Sequence, residues 1–327
     1  MTLLSVRNLV TEFQGPAGTA RAVDGVDFDI QAGEIFGIVG ESGCGKSATC
    51  RSIVRLFGGA DARIASGTVL LDGSGDLASM PEKALGQIRG REVAFIFQDP
   101  LTALNPTMRV GRQIAEVIER HRKVSRREAR AMALQLLRDV HVTSPERRLD
   151  AWPHELSGGL RQRIVIAMAL ALQPRLIIAD EPTTALDVTV QDQILRLLLE
   201  RRDASGTAII LVTHDLGVVS EVCDRVAVMY GGRFVETGTT AEVLDHPRHP
   251  YTRALLAALP SLAMRGKPLT PIDGTPPSLT SPPAGCRFAP RCPRAGDICR
   301  TGPPPPLMIH DAATPHHADA CLLEGRP

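Results

Sequence analysis

The stretch GESGCGKS, residues 40–47, constrains this chain more than any other segment. It follows EIFGIV, residues 34–39, a short apolar run that is typical of a buried strand. Its spacing, G-x-x-x-x-G-K-S, permits a tight turn whose backbone N–H groups point at an anion, and a following helix adds the positive end of its dipole. The segment therefore predicts a strand, a phosphate-binding loop and a helix in succession.

The last two residues of this stretch are of the types that bind a nucleotide together with a metal ion. Lys46 is placed to reach the β- and γ-phosphates, and the Ser47 hydroxyl is placed to ligate Mg²⁺. A chance glycine-rich turn is the alternative, which the flanking strand and helix disfavour. The residues assigned to nucleotide binding here are Gly40, Ser42, Gly43, Gly45, Lys46 and Ser47.

Further apolar runs predict an α/β fold with a largely parallel sheet. LIIAD, 176–180, and TAIILVT, 207–213, are typical of buried strands, and helical patterns lie between them. Gly231-Gly232 between two strand-like runs predicts a hairpin at the end of the sheet. The region from about 100 to 170 is predicted to be an inserted helical subdomain, in which Ser125 and Glu128 have the spacing of a capping box.

Composition limits the functional classes. The net charge of +1 lacks the basic excess of a DNA-binding domain, so no nucleic-acid partner is expected. The longest apolar run, residues 164–172, is too short to cross a bilayer, which needs roughly 20 residues in a helix. No secretory signal is visible at the N-terminus. We therefore expect a cytoplasmic protein whose membrane role, if it has one, comes through a partner.

Two further segments contain candidate residues for metal binding, catalysis and anion binding. Asp180 ends the run LIIAD and is placed to hold magnesium, while Glu181 can polarise an attacking water as general base. The motif ELSGGLRQR puts Ser157, Gly158 and Gly159 ahead of a long apolar helix, which makes a second anion site. Two phosphate-binding ends on one domain make sense if each serves a nucleotide held by a neighbouring subunit.

With these motifs, residues 3–260 resemble the ATP-binding-cassette ATPases. The resemblance implies a RecA-like P-loop core, an antiparallel β subdomain and an inserted helical subdomain, with ATP and Mg²⁺ as cofactors. GESGCGKS is similar to the Walker A loop, LIIADEP to Walker B, and LSGGL to the signature motif, from whose usual LSGGQ it departs at Leu160. The resemblance assigns a Q-loop role, with a contact to magnesium, to Gln98, a D-loop role to Asp187 and a γ-phosphate contact to His214. Phe13 lies where the family stacks an aromatic ring on adenine, although it is also explained as a buried strand residue.

Three functions share such a cassette: an import ATPase, a soluble DNA-maintenance ATPase, and a regulatory cassette without turnover. No long coiled-coil or zinc insertion is present, and Lys46, Glu181 and His214 are all retained, so the importer is favoured. FIFQDPLTALNP, 95–106, and HPRHPYTRALLAALP, 246–260, are similar to segments of the oligopeptide/dipeptide importer family. That resemblance implies uptake of di- or oligopeptides, although relatives move nickel or other small solutes.

The same resemblance implies the assembly. A second, similar ATPase would form a heterodimer with this chain, alongside two transmembrane permeases and an extracytoplasmic solute-binding protein. The chain would lie peripherally on the cytoplasmic face of the membrane.

The C-terminal part, residues 261–327, is predicted to be an extended, proline-rich extension of the cassette, residues 1–260. Of the chain's 25 prolines, 13 lie between 260 and 306, where they exclude long helices and central strands. Such a segment has too few apolar residues for a core of its own and is expected to need a staple.

Four of the chain's seven cysteines are candidates for that staple: Cys286, Cys292, Cys299 and Cys321. Their spacing leaves an iron–sulfur cluster, zinc and free thiols open. The peptide-importer family carries a similar cysteine pattern in its tail, which implies a [4Fe–4S] cluster, with Zn²⁺ as the alternative. The nearby His310, His316 and His317 are expected to be solvated rather than ligands.

Overall fold

The structure is a computed structural model that describes residues 1–16, 18–59, 61–183, 187–258 and 271–323. Within these ranges the strands are β1 Thr2–Gly15, β2 Gly18–Gln31, β3 Ile35–Val39, β4 Ala62–Leu71, β5 Gly75–Asp76, β6 Val93–Ile96, β7 Leu176–Asp180, β8 Ala208–Val212, β9 Arg225–Tyr230, β10 Arg233–Thr239, β11 Met308–Ile309 and β12 Ala318–Asp319. The helices are α1 Lys46–Ile53, α2 Glu82–Ile88, α3 Pro100–Ala103, α4 Val110–His121, α5 Arg126–Asp139, α6 Pro145–Leu149, α7 Gly158–Leu170, α8 Val188–Ser205, α9 Leu216–Val222, α10 Thr240–Asp245, α11 Pro250–Ala257 and α12 Asp297–Arg300.

The chain divides into two compact units, each with its own set of strands and helices. The first unit comprises Met1–Leu3, Ile30–Glu34 and Leu71–Val212. In it β6, β7 and β8 form parallel neighbours, β7 pairing with both of the others. Every residue of β7 and β8 is buried, as expected for parallel strands that are covered on both faces. The strands predicted at LIIAD and TAIILVT are thus confirmed.

The first unit also holds the helices between β6 and β7. α4, α5 and α7 pack against one another through apolar faces that include Ile114, Leu137 and Ile164, each fully buried. α5 begins at the predicted capping box, because the Ser125 side chain accepts a hydrogen bond from the backbone of Glu128 and the Glu128 carboxylate accepts one from Ser125. This local rule therefore fixes where the helix starts.

The second unit comprises Leu4–Asp29, Ile35–Leu70 and Thr213–Pro327. β3 is buried along its whole length and pairs in parallel with β9, which confirms the strand predicted at residues 34–39. β9 turns back antiparallel into β10 through Gly231 and Gly232, whose φ angles are +54° and +84°. Positive φ at both central residues is what the predicted two-residue hairpin requires. β2, β1 and β4 are hydrogen-bonded neighbours in that order.

The C-terminal segment of the second unit is attached rather than free. Residues 271–306 contain only short helical turns, Ala289–Arg291 and α12, in keeping with their proline content. Further on, β12 pairs antiparallel with β10 and with β11. The segment was expected to lack a core of its own. Instead it packs against residues of the cassette, and this contact buries Phe288, Ala289 and Ala320.

Candidate nucleotide site and C-terminal segment

Backbone geometry explains two glycines of the phosphate loop. β3 ends at Val39 and α1 begins at Lys46, so the loop spans the short gap between a buried strand and a helix. Gly40 has φ +150° and Gly45 has φ +113°, values that side chains rarely allow. A Cβ atom at Gly40 would lie 2.2 Å from the Met229 carbonyl oxygen, and one at Gly45 would lie 2.3 Å from that of Ala22. Only glycine fits these two close approaches.

The ammonium group of Lys46 lies inside the curve of its own loop. The residue is buried, and Nζ donates hydrogen bonds to the carbonyl oxygens of Gly40, at 2.8 Å, and Glu41, at 3.0 Å. Ser47 stands half-buried in the first turn of α1, while Ser42 and Gly43 are exposed. The loop thus brings a positive charge and a helix N-terminus together, an arrangement that attracts anions.

Residues far along the sequence hold this loop, and the sequence did not indicate them. The Tyr251 hydroxyl accepts a hydrogen bond from the backbone N–H of Glu41 at 2.9 Å. The Gly232 backbone N–H donates to the Cys44 carbonyl at 2.7 Å. Arg291 forms two hydrogen bonds with the Glu41 carboxylate. No local motif marks a loop residue as the partner of a side chain 250 positions away.

In the first unit the predicted magnesium and base residues lie at the C-terminal end of β7. Asp180 is the last residue of that strand and is fully buried. Glu181 turns the chain with φ +47°, its backbone N–H donating to the Val212 carbonyl. Its carboxylate accepts a hydrogen bond of 3.0 Å from Nε2 of Gln98, which lies just beyond β6. The parallel strands β6 and β7 therefore bring Gln98 and Glu181 together, and that pair is open to solvent.

The signature and D-loop residues of the same unit are helix caps. Ser157 is exposed and caps α7, its hydroxyl accepting from the Leu160 backbone N–H. Gly158 and Gly159 form the first turn, and a Cβ at Gly159 would approach Val190 of α8 to 2.9 Å. Asp187 caps α8 by accepting from the Val190 backbone N–H at 2.9 Å. Residues 185 and 186 of the predicted D-loop lie outside the described residues.

His214 and Phe13 belong to the second unit. His214 is exposed and precedes α9, whose N-cap, Asp215, accepts from the backbone N–H of Gly217 at 2.9 Å. Phe13 lies in β1, half-buried, with its ring edge-on to that of Phe57 at a centroid distance of 6.2 Å.

Three of the four tail cysteines lie close together. The Cys286 backbone N–H donates to the Cys299 carbonyl at 2.9 Å. Burial, with nearby Cys299 and Cys292 adding to the effect, raises the pKa of the Cys286 thiol to about 11. Cys321 is buried in the segment after β12. Among the residues that the structure describes, however, no group of three or more histidine, cysteine, aspartate or glutamate side chains is arranged to hold a metal ion. The thiols as they stand do not fit a metal centre.

One expectation for the tail histidines is wrong. His317 is buried, and its ring Nε2 lies 2.7 Å from Oε1 of Glu236, a fully buried carboxylate. That carboxylate also accepts from the backbone N–H groups of Arg248 and His249. A buried carboxylate needs such partners, and the tail supplies one of them. His316 is exposed, as expected. The His310 side chain is only 23% exposed, and its ring Nε2 lies 3.3 Å from Oδ2 of Asp319, a buried carboxylate.

No helix in the described ranges is long and apolar enough to pass through a membrane.

Comparison with known protein families gives two matches along the chain. Residues 23–184 match the ABC transporter family, and residues 235–299 match the C-terminal region of oligopeptide/dipeptide transporters. The second match includes three of the four tail cysteines, so the tail belongs to the resemblance as much as the cassette does.

Individual proteins resemble the chain over most of its length. A probable peptide ABC transporter ATP-binding protein of Sinorhizobium fredii is 50% identical over 98% of this chain and 94% of its own. The dipeptide transport ATP-binding protein DppD of Bacillus subtilis is 52% identical over 91% of this chain and 88% of its own.

Among solved structures, the dimeric ATP-binding cassette MJ0796 with bound ADP and Pi is similar, with a TM-score of 0.66. It is 27% identical, over 73% of this chain and 99% of that one. Fold, motifs and relatives agree: the chain is an ATPase that belongs to the ABC transporter ATP-binding proteins of the oligopeptide/dipeptide family.

Proposed function

We propose that this chain is the ATP-hydrolysing subunit of an importer for di- or oligopeptides. The observation that carries the proposal is the nearly full-length similarity to peptide transport ATP-binding proteins, extending through the cysteine-containing tail. Residues 1–260 would form the cassette, and residues 261–327 its extension.

ATP would be held by the phosphate loop. Lys46 would exchange its two carbonyl partners for the β- and γ-phosphates, and the loop amides between Gly40 and Gly45 would bind phosphate oxygens. Ser47 would ligate Mg²⁺, and Phe13 would stack on adenine. The burial of Lys46 supports this role, because its charge is already desolvated and positioned before a nucleotide arrives.

Hydrolysis would depend on the residues that follow β6 and β7. Glu181 would take the proton of the attacking water, with Asp180 and Gln98 near the magnesium ion and His214 at the γ-phosphate. The hydrogen bond between Gln98 and Glu181 supports this assignment, because it already couples the Q-loop residue to the base. A bound magnesium ion would supply charge neutralisation at the phosphates.

The signature residues would act on a nucleotide held by a neighbouring subunit. The exposure of Ser157 and Gly158 at the N-terminus of α7 supports this, because their polar groups are available to an anion. We propose a heterodimer with a second ATPase, with Asp187 at the junction, joined to two permeases and an extracytoplasmic binding protein. The chain would then lie on the cytoplasmic face of the membrane.

The proposal is tested by reconstituting the transporter in liposomes with its binding protein and measuring ATP-dependent uptake of labelled di- and oligopeptides. We expect peptide uptake, and none when Glu181 is replaced by Gln. Uptake of nickel without uptake of peptide would instead establish the alternative importer.

For the tail, we propose a [4Fe–4S] cluster on Cys286, Cys292, Cys299 and Cys321, with Zn²⁺ as the alternative. The family pattern supports it. Since the thiols as described do not form a metal centre, binding would require the segment to rearrange. Purification without oxygen, followed by iron and zinc analysis, tests this. Stoichiometric zinc without iron would exclude the cluster, and absence of both metals would exclude either centre.

A further inference from the structure

A partly buried ion pair joins the C-terminal segment to the phosphate loop. Arg291 donates from Nη1 to Oε2 of Glu41 at 2.6 Å and from Nη2 to Oε1 at 3.0 Å. The Arg291 side chain is 4% exposed and that of Glu41 is 24% exposed. Two parallel hydrogen bonds of this kind fix direction as well as distance.

The remaining donors of the guanidinium are also occupied. Nη1 donates to the Tyr230 hydroxyl at 3.2 Å, Nη2 to the Ile272 carbonyl and Nε to the Asp273 carbonyl. The guanidinium carbon also lies 5.8 Å from the ring centroid of Tyr230. The hydrogen bond to Glu41 raises the pKa of Arg291. The side chain is therefore held on every side and can act as a rigid support for its partner.

Glu41 connects this support to Lys46. Its carboxylate is held by Arg291, its backbone N–H by the Tyr251 hydroxyl, and its carbonyl oxygen receives a hydrogen bond from Lys46 Nζ. Loss of the contact with Arg291 would remove one of the contacts that hold Glu41, whose carbonyl oxygen accepts the hydrogen bond from the ammonium. The position of Lys46 is therefore linked to a residue of the C-terminal segment.

A second arginine attaches the same segment without touching the loop. Arg287 hydrogen-bonds to the Gly231 carbonyl and pairs with Asp24. Arg287 and the pairing of β12 also dock the segment, so the contact between Arg291 and Glu41 is one of several attachments. Arg291 differs from Arg287 in that its side chain reaches the phosphate loop.

We propose that Arg291 is a positioning residue for nucleotide binding: through Glu41 it holds the backbone of the phosphate loop in the binding geometry, so that the docked C-terminal segment contributes to the affinity for nucleotide. This inference rests on the proposed role of the phosphate loop. It makes the segment a part of the nucleotide site rather than an appendage.

The test measures binding of Mg-ADP, which is not hydrolysed, to the full chain by titration calorimetry. Arg291→Met is expected to raise the dissociation constant roughly 10-fold. Arg291→Lys, which keeps the charge but loses the paired hydrogen bonds, is expected to recover part of the loss. Steady-state hydrolysis should show a raised KM for ATP with kcat within about twofold, the pattern of lost binding alone.

A double-mutant cycle separates positioning from general stability. Glu41→Gln combined with Arg291→Met should weaken Mg-ADP binding no more than either change alone, because both act through one contact. Arg300→Met, at an exposed position of the same segment, is the matched control and should leave binding unchanged.

Two outcomes overturn different claims. If Arg291→Met lowers the melting temperature but leaves the dissociation constant of Mg-ADP within twofold, the ion pair is structural and the inference fails. If Lys46→Met also leaves binding unchanged, the proposed role of the phosphate loop fails as well.

Discussion

Lys46 of the phosphate loop and the pair of Gln98 and Glu181 contrast in their exposure to water. Around the loop, Lys46 is buried with two hydrogen bonds, and Glu41 is fixed by Tyr251 and Arg291. After β7, the Glu181 carboxylate is linked to an exposed Gln98 by one hydrogen bond. Lys46 and Glu41 are thus held in place in the single chain, whereas the hydrogen bond between Gln98 and Glu181 is exposed to water.

This difference suits an enzyme in which binding precedes completion of the catalytic site. A preformed loop lowers the ordering cost of capturing nucleotide. A general base that is still solvated gains its full effect only when water is excluded. Dimer closure over the nucleotide, as proposed, would supply that exclusion.

The largest expected effect separates hydrolysis from binding. Glu181→Gln removes the proposed general base, so ATP turnover in the assembled transporter should fall by roughly 10²–10⁴-fold. Mg-ADP affinity of the isolated chain should stay within about twofold, because the phosphate loop is untouched. A turnover reduced less than about 10-fold would remove Glu181 from the role of base.

The rigidity of the phosphate loop can be tested at its glycines. Gly40→Ala would place a Cβ 2.2 Å from the Met229 carbonyl oxygen and should lower the free energy of unfolding by about 3 kcal/mol, measured by urea denaturation. Gly43→Ala is the control: Gly43 has φ +76° but no atom within 4 Å of the added carbon, so only about 1 kcal/mol is expected. Equal losses would contradict the tight packing at Gly40.

Acid should lower the stability of the fold through protonation of His249, which lies two residues before Tyr251, a partner of the phosphate loop. This imidazole accepts a hydrogen bond from the backbone N–H of Tyr251, and burial lowers its pKa from 6.5 to about 3. Between about pH 3 and pH 6.5, His249 is protonated in the unfolded chain and neutral in the folded chain. Stability due to this group is therefore lost as pH falls below 6.5, by about 2 kcal/mol at pH 5.

The variant His249→Asn tests this contribution, because it keeps a side-chain acceptor without a titrating group. Urea denaturation at pH 7.5 and pH 5 should show a smaller loss of stability on acidification than in the unchanged chain, by about 2 kcal/mol. The same loss in both proteins would show that other groups determine the pH dependence.

The smallest expected effect concerns the exposed hydrogen bond after β7. Gln98→Ala removes the donor to Glu181, a bond worth about 1 kcal/mol, so turnover at saturating ATP should fall roughly fivefold. Gln135→Ala, on the exposed surface of α5, is the control and should leave turnover unchanged. A loss of turnover above 100-fold for Gln98→Ala would mean that Gln98 contributes far more to hydrolysis than one exposed hydrogen bond to Glu181 can.

The sequence predicted features that depend on short-range rules. The buried strands β3, β7 and β8, the hairpin at Gly231-Gly232 and the capping box at Ser125 each follow from neighbouring residues, and the structure confirms them. Spacing and residue chemistry also predicted the phosphate loop and the roles of Asp180 and Glu181, whereas the roles of Gln98, Asp187 and His214 came from the family resemblance.

The attachment of the tail could not be predicted in this way. Arg291, Arg287 and His317 are buried through partners near the start of the chain or in β10, and charged residues are usually expected at the surface. Their burial depends on contacts between distant segments, for which a single sequence has no local signal.

The separation between Glu41 and Arg291 has a consequence for synthesis of the protein. The ribosome makes the phosphate loop 250 residues before the arginine that holds it. At 5–20 residues per second, this corresponds to a delay of roughly 10–50 s. During that interval the nascent chain has Lys46 but not its remote support, so a chain truncated before Arg291 would carry the loop in a less constrained form. The contact between Glu41 and Arg291 can therefore form only after the C-terminal segment has been translated.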